Sequence, residues 1–173
     1  TPRSPARGWR ADGRPRESKG KGRVLTGTRV GSLAASSSKP LLIRLAAYTG
    51  LRWGEAIARR PCDFDMKHRI ITVARGASTL PSGVKREDST KSRKGKPEDR
   101  FTTFPPSLDL PLAAAFMKAE HDGLLFPAPN SGAFLRTPSS VTSWWLAARA
   151  NARTHAGPIP AALMLHHLVR TSW

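Results

Sequence analysis

Cysteine and tyrosine are almost missing: Cys62 and Tyr48 are the single example of each in 173 residues. One thiol cannot found a disulfide framework, and by sequence it stands apart from any thiolate zinc pattern, so no metal site is expected and an intracellular, reducing location fits. Long apolar runs are absent too. The longest stretch, residues 41–48, is interrupted by Arg44 and falls far short of the ~20 residues a bilayer-spanning helix needs. The first 22 residues are basic and rich in proline and glycine, which excludes the apolar core of a signal peptide there. Acidic residues are scarce throughout, and from 123 to 173 there is none.

What is present is positive charge. Twenty-nine Lys and Arg face 12 Asp and Glu, a formal net charge of +17. Such an excess repels itself in isolation, and its natural partner is a polyanion, above all a nucleic acid. A blander origin is an arginine-rich genome, or a basic chain that stays unfolded or rides on the ribosome. The 39% hydrophobic content suffices for one globular domain of modest core. Residues 1–22 carry seven basic and two acidic side chains with little to bury, and read as a disordered basic arm able to touch phosphates. Residues 23–173 are expected to form the domain.

Local patterning gives the elements. Pro40 opens a helix whose Leu41, Leu42, Leu45, Ala46 and Thr49 follow helical spacing, and Gly50 closes it. A short helix is expected over 52–60, stopped by Pro61. The β-branched run at 69–73 predicts a strand. Gly and Pro at 76–83 predict a loop, and 84–104 has room for two short strands around the turn SRKGKP. Asp109 is placed as the cap of a helix presenting Leu112, Ala115, Phe116 and Ala119. Thr137 and Pro138 read as the start of another. There Val141, Trp144, Trp145, Ala148 and Ala152 make one buried face. A last helix begins near Pro160. The fold class is therefore mostly α with a small antiparallel sheet, an α+β domain.

The segment 41–73 carries a specific combination: an apolar helix, then Thr49-Gly50-Leu51-Arg52, then Gly54-Glu55, then Asp63-Phe64-Asp65 leading into a strand. It resembles the first conserved box of the tyrosine recombinases, the phage-type integrases. Two further matches follow. Thr90-Lys91-Ser92-Arg93-Lys94-Gly95-Lys96 is similar to the family's basic hairpin with its catalytic lysine. His166-His167-Leu168-Val169-Arg170-Thr171 is similar to the second box, where His167 keeps the His-x-x-Arg spacing and His166 keeps the His-x-Leu register. The histidine that follows the family's second arginine is replaced by Thr171.

The residues support this on their own terms. Arg52 follows a helix-ending glycine and so starts the next helix facing outward, where a guanidinium can fork two hydrogen bonds onto phosphate oxygens. Glu55, three residues on, shares its face and can orient it. The alternative is an ordinary surface ion pair. Lys91 is a candidate proton donor to a departing 5′ oxygen, or else one member of a solvated loop in which Arg93, Lys94 and Lys96 grip the DNA backbone. Arg59 stands where an apolar residue is usual, and an unpaired guanidinium buried there would be costly.

The resemblance implies a tyrosine-recombinase catalytic domain that cuts and rejoins DNA through a 3′-phosphotyrosyl link. Arg52 and Arg170 would neutralise the phosphorus, Lys91 and His167 would manage protons, and neither metal nor nucleotide cofactor would be needed. The two arginines are expected to converge on one anion pocket. The implied partner is double-stranded DNA, with other recombinase protomers possible, in the cytoplasm at the nucleoid. Tyr48 precedes the first box on an apolar helix and reads as a packing residue rather than the nucleophile. The chain is accordingly expected to be a form truncated before its tyrosine, inactive alone and DNA-binding. The alternative is a non-enzymatic basic DNA-binding protein derived from an integrase.

Overall fold

The computed structural model describes residues 25–79, 85–89, 99–138 and 144–156. In chain order these form α1 (Gly27–Ala35), α2 (Pro40–Thr49), α3 (Trp53–Ile57), a 3-10 turn (Pro61–Asp63), and strands β1 (Phe64–Asp65), β2 (Ile70–Val73), β3 (Arg75–Thr79), β4 (Lys85–Ser89) and β5 (Arg100–Thr103). A second 3-10 turn (Pro106–Leu108), α4 (Asp109–Phe116) and α5 (Trp144–Ala156) complete them. Helices dominate and the strands are antiparallel, as the expected fold class requires.

The hub is α2. Its PLLIRLAAYT sequence is apolar nearly all round, so it is buried on two sides rather than one. Ile43 and Ala47 face a cluster with α1 and α5, where Leu33, Trp145 and Ala148 are buried. Leu42 and Leu45 face a second cluster built from α3, the sheet and α4, including Ile57, Ile71 and Leu112. Tyr48 and Trp53 are half-buried and touch both clusters. The chain leaves α2 through Gly50, which takes the left-handed conformation at φ 68°, as a glycine C-cap does most readily.

The sheet has the order β1-β2-β5, with Ile70 opposite Thr103 and Ile71 opposite Thr102. Ile71 and Val73 point into the core while their neighbours do not, the two-residue alternation of a half-covered sheet. Strands β3 and β4 form a separate ribbon, with Arg75 opposite Ser89 and Ala77 opposite Glu87.

Three expectations need correction. A strand, β3, occupies 75–79 where a loop was expected from 76, because this segment pairs with β4 and lies against α3. Helix α3 ends at Ile57, short of 60. Asp109 is the first helical residue of α4 rather than its cap; Leu108 holds the cap position with no side-chain bond, and the Asp109 carboxylate instead binds Arg69. Helix α1 was not anticipated. The α4 face fares better, with Leu112 buried and Ala115, Phe116 and Ala119 packed on the second cluster. Thr137 and Pro138 lie in irregular backbone. The basic arm at 1–22, Val141 and the helix expected from Pro160 fall outside the described residues.

Candidate functional site

Arg52 is the N-cap of α3, with extended backbone (φ −64°, ψ 155°). Its main-chain N–H donates to Glu55 Oε2 at 2.9 Å. This bond satisfies one of the donors that a helix start leaves without an intrahelical acceptor. The Glu55 side chain is nearly buried while the Arg52 side chain is 84% exposed, with Nη1 3.6 Å from Glu55 Oε1. The carboxylate therefore fixes the main chain of the turn and leaves the guanidinium facing solvent. The expectation that Glu55 orients the guanidinium is met only by this 3.6 Å ion pair; the hydrogen bond goes to the main chain.

A second guanidinium joins it. Arg100, at the start of β5, donates from Nη2 to the same Glu55 Oε2 and is about half exposed. Two outward cations thus share one buried carboxylate, and the pair keeps a net positive charge. Arg100 escaped the sequence reading because its link to Glu55 spans 45 residues.

Gly54 explains the glycine of the Gly-Glu pair. A Cβ there would overlap the carbonyl oxygen of Ala77 in β3. Only a glycine lets the ribbon close against α3, and this contact places β3 beside the Arg52 turn.

The Asp-x-Asp motif anchors the base of this arrangement. Asp63 is buried and accepts the Arg60 main-chain N–H at 2.9 Å and Arg75 Nη2 at 3.0 Å. It also pairs with Arg59 Nη1 at 3.2 Å. Asp65 is exposed; its Oδ1 accepts the His68 N–H at 3.0 Å, and this and the adjoining imidazole contact hold its carboxyl below the usual range.

Arg59 corrects an expectation. Its side chain is fully buried, yet it is not unpaired. Nε donates to the Glu55 carbonyl at 2.9 Å, and the two Nη groups donate to the carbonyls of Thr72 and Arg75. Burial lowers its pKa from the ordinary arginine value, with Asp63 opposing that shift. The guanidinium ties α3, β2 and β3 together, so it is a fastening rather than a defect.

Away from this cluster, the fold brings Cys62 beside His121 and Asp122. The Cys62 N–H donates to the His121 carbonyl at 3.3 Å. Loss of solvent around the sulfur, then its hydrogen bond to Asp122, pushes the Cys62 thiol up, while that bond holds Asp122 down. His121 is exposed as expected, but Cys62 does not stand apart as its sequence position implied.

Of the expected site residues, Arg52 and Glu55 are thus brought together. Lys91, Arg93, Lys94, Lys96, His166, His167 and Arg170 lie outside the described residues, so the convergence of Arg52 with Arg170 is not tested by this geometry. No helix among the described residues is long and apolar enough to cross a membrane.

This arrangement of helices around a small antiparallel sheet matches the fold of tyrosine-recombinase catalytic domains. Two solved structures of the Tn1549 transposon integrase share it. The one in complex with circular intermediate DNA superposes with a TM-score of 0.68 at 16% identity, covering 90% of this chain and 54% of that one. The one in complex with transposon right end DNA gives 0.68 at 15% identity, covering 92% and 54%. At such identities the likeness is one of fold. The chain spans about half the length of these structures. No protein-family model and no curated relative matches it.

Proposed function

We propose that the chain binds duplex DNA through the phosphate backbone, with Arg52 gripping a phosphate at the centre of a recombinase-type cleft. One observation carries this reading: Arg52 has its main chain fixed by a buried carboxylate and its guanidinium exposed to solvent, on a fold that the Tn1549 integrase structures present in complex with DNA. The +17 net charge supplies the long-range attraction. In this reading Lys91 is the proton donor to a 5′ oxygen, His167 or His166 manages protons while Arg170 neutralises the phosphate with Arg52, and Arg93, Lys94 and Lys96 hold the flanking backbone.

A recombinase reaction needs a tyrosine hydroxyl to attack phosphorus, leaving a 3′-phosphotyrosyl link and a free 5′ hydroxyl. Tyr48 packs between the two hydrophobic clusters, a poor place for that nucleophile. This packing favours DNA binding without cleavage by the chain alone, whether as part of an integrase or as a non-enzymatic binder derived from one. Recombination with other protomers would need the attacking group from elsewhere.

Fluorescence anisotropy with a labelled duplex over a salt series tests the reading. Binding should weaken linearly with the logarithm of salt, and Arg52→Ala should lower the slope by about one, the loss of one phosphate contact. An unchanged slope in a folded Arg52→Ala chain would overturn the role of Arg52. A covalent protein–DNA adduct surviving denaturation would overturn the non-cleaving reading.

A further inference from the structure

We propose that Cys62, His121 and Asp122 form a binding site for a borderline-soft divalent cation of the zinc class. The ion would clip the 3-10 turn after α3 to the loop after α4, and the proposal stands apart from the DNA reading. One candidate ligand atom from each side chain lies within 4.8 Å of the other two. His121 Nδ1 and Asp122 Oδ1 are 3.3 Å apart. Two bonds of ~2.0–2.1 Å at a tetrahedral angle subtend about 3.3 Å, so this pair already has the spacing of shared ligands. The Cys62 sulfur lies within the same 4.8 Å of a ligand atom on each of the other two, which brings it to the same point.

The frame holding these groups is built from main-chain bonds. Cys62 N–H donates to the His121 carbonyl at 3.3 Å, and Leu125 N–H donates to the Arg59 carbonyl at 2.9 Å. Arg60 Nη1 donates to the Asp122 carbonyl at 2.6 Å. Two segments far apart in sequence are thereby fixed side by side before any ion arrives. No short sequence motif announces such a site.

Chemistry selects the ion. A thiolate, an imidazole and a carboxylate suit zinc or cobalt rather than magnesium or calcium. The thiolate and carboxylate together balance a charge of two. The neighbouring Arg60 is a competing cation, but its Nη2 is paired with Glu87 at 2.7 Å. All three ligands are exposed, so the ion enters from solvent and water completes its coordination. On binding, the S–H bond of Cys62 breaks, the proton passes to the buffer, and the sulfur lone pair forms the metal bond. No electron is transferred.

The test uses the whole chain, kept reduced with a phosphine, and titrated with Co²⁺ followed by Zn²⁺. Cys62 is the chain's one cysteine, so any thiolate-to-cobalt charge-transfer band reports this site alone. The band should saturate at one ion per chain and be abolished by Zn²⁺ and by Cys62→Ser. His121→Ala and Asp122→Asn should each weaken binding about tenfold or more. Both change exposed positions, so they carry the test even if Cys62→Ser folds poorly. Absence of the band at millimolar Co²⁺ would overturn the site. So would a band indifferent to His121→Ala and Asp122→Asn, or saturation at one ion per two chains.

Discussion

Gly54 lies so close to Ala77 that a Cβ would collide with the Ala77 carbonyl oxygen, whereas a Cβ on Gly76, one residue earlier in β3, would meet Glu55 only at 3.9 Å. The first contact involves main chain on both sides, so neither partner can yield by turning a side chain. Gly54→Ala should therefore destabilise the fold by about 1–3 kcal/mol, the usual scale for overpacking, and push the ribbon away from the Arg52 turn. Gly76→Ala should stay within about 0.5 kcal/mol of the parent. Urea unfolding midpoints of the two variants decide the matter, and equal midpoints would refute the steric account.

Arg59 is the interior fastening of the same region. Replacing it with leucine leaves buried Asp63 with one guanidinium fewer and strips the carbonyls of Glu55, Thr72 and Arg75 of a donor. Breaking a buried pair from one side costs about 3–5 kcal/mol, so Arg59→Leu is expected to lose stability on that scale. A loss under ~1 kcal/mol in thermal or urea unfolding would mean that water replaces those bonds.

These two residues show how far the sequence could be read. The Arg52 turn was legible because its parts are neighbours: Gly50 ends α2, Arg52 starts α3, and Glu55 closes back three residues. The role of Arg59 was not, because its acceptors lie on β2 and β3, and only tertiary contact turns a costly cation into a satisfied one. Helix α1 was hidden by Gly27 and Gly31, poor helix formers. It exists because Val30, Leu33 and Ala34 bury against α2 and α5, and packing outweighs local preference. Strand β3 was masked by Gly76 and Ser78 for the same reason: its pairing partner and α3, rather than its own residues, make it a strand.

Arg52 and Arg100 act on one carboxylate, so their substitutions should not be additive. Arg100→Ala removes a charge from the side proposed to face DNA and also leaves Glu55 freer to draw in the Arg52 guanidinium. DNA affinities of the parent, the two single alanine variants and the double variant form a thermodynamic cycle. A coupling of about 0.5 kcal/mol or more is expected for residues that share a partner. Strict additivity would show that Glu55 holds only the main chain of Arg52 and that the two cations meet DNA independently.

Asp109 and Arg69 give a dependence on acidity. Arg69 takes a positive φ of 54° before β2, and its Nε and Nη2 donate to the Asp109 carboxylate at 3.1 and 2.8 Å. These bonds hold the Asp109 pKa below its ordinary value and raise that of Arg69. A carboxyl with a depressed folded-state pKa binds fewer protons folded than unfolded, so its contribution is fully present above the unfolded value of about 3.9 and disappears as pH falls through the lower folded value. The parent should therefore exceed Asp109→Asn in stability at pH 7, and the two should converge as the pH drops below about 4. Other depressed carboxyls, Asp65 and Asp122 among them, are common to both chains and cancel in the difference. Urea midpoints measured between neutral and strongly acidic pH give that difference directly. A gap that stays constant with pH would show that the Arg69 contact positions α4 without favouring the charged carboxylate.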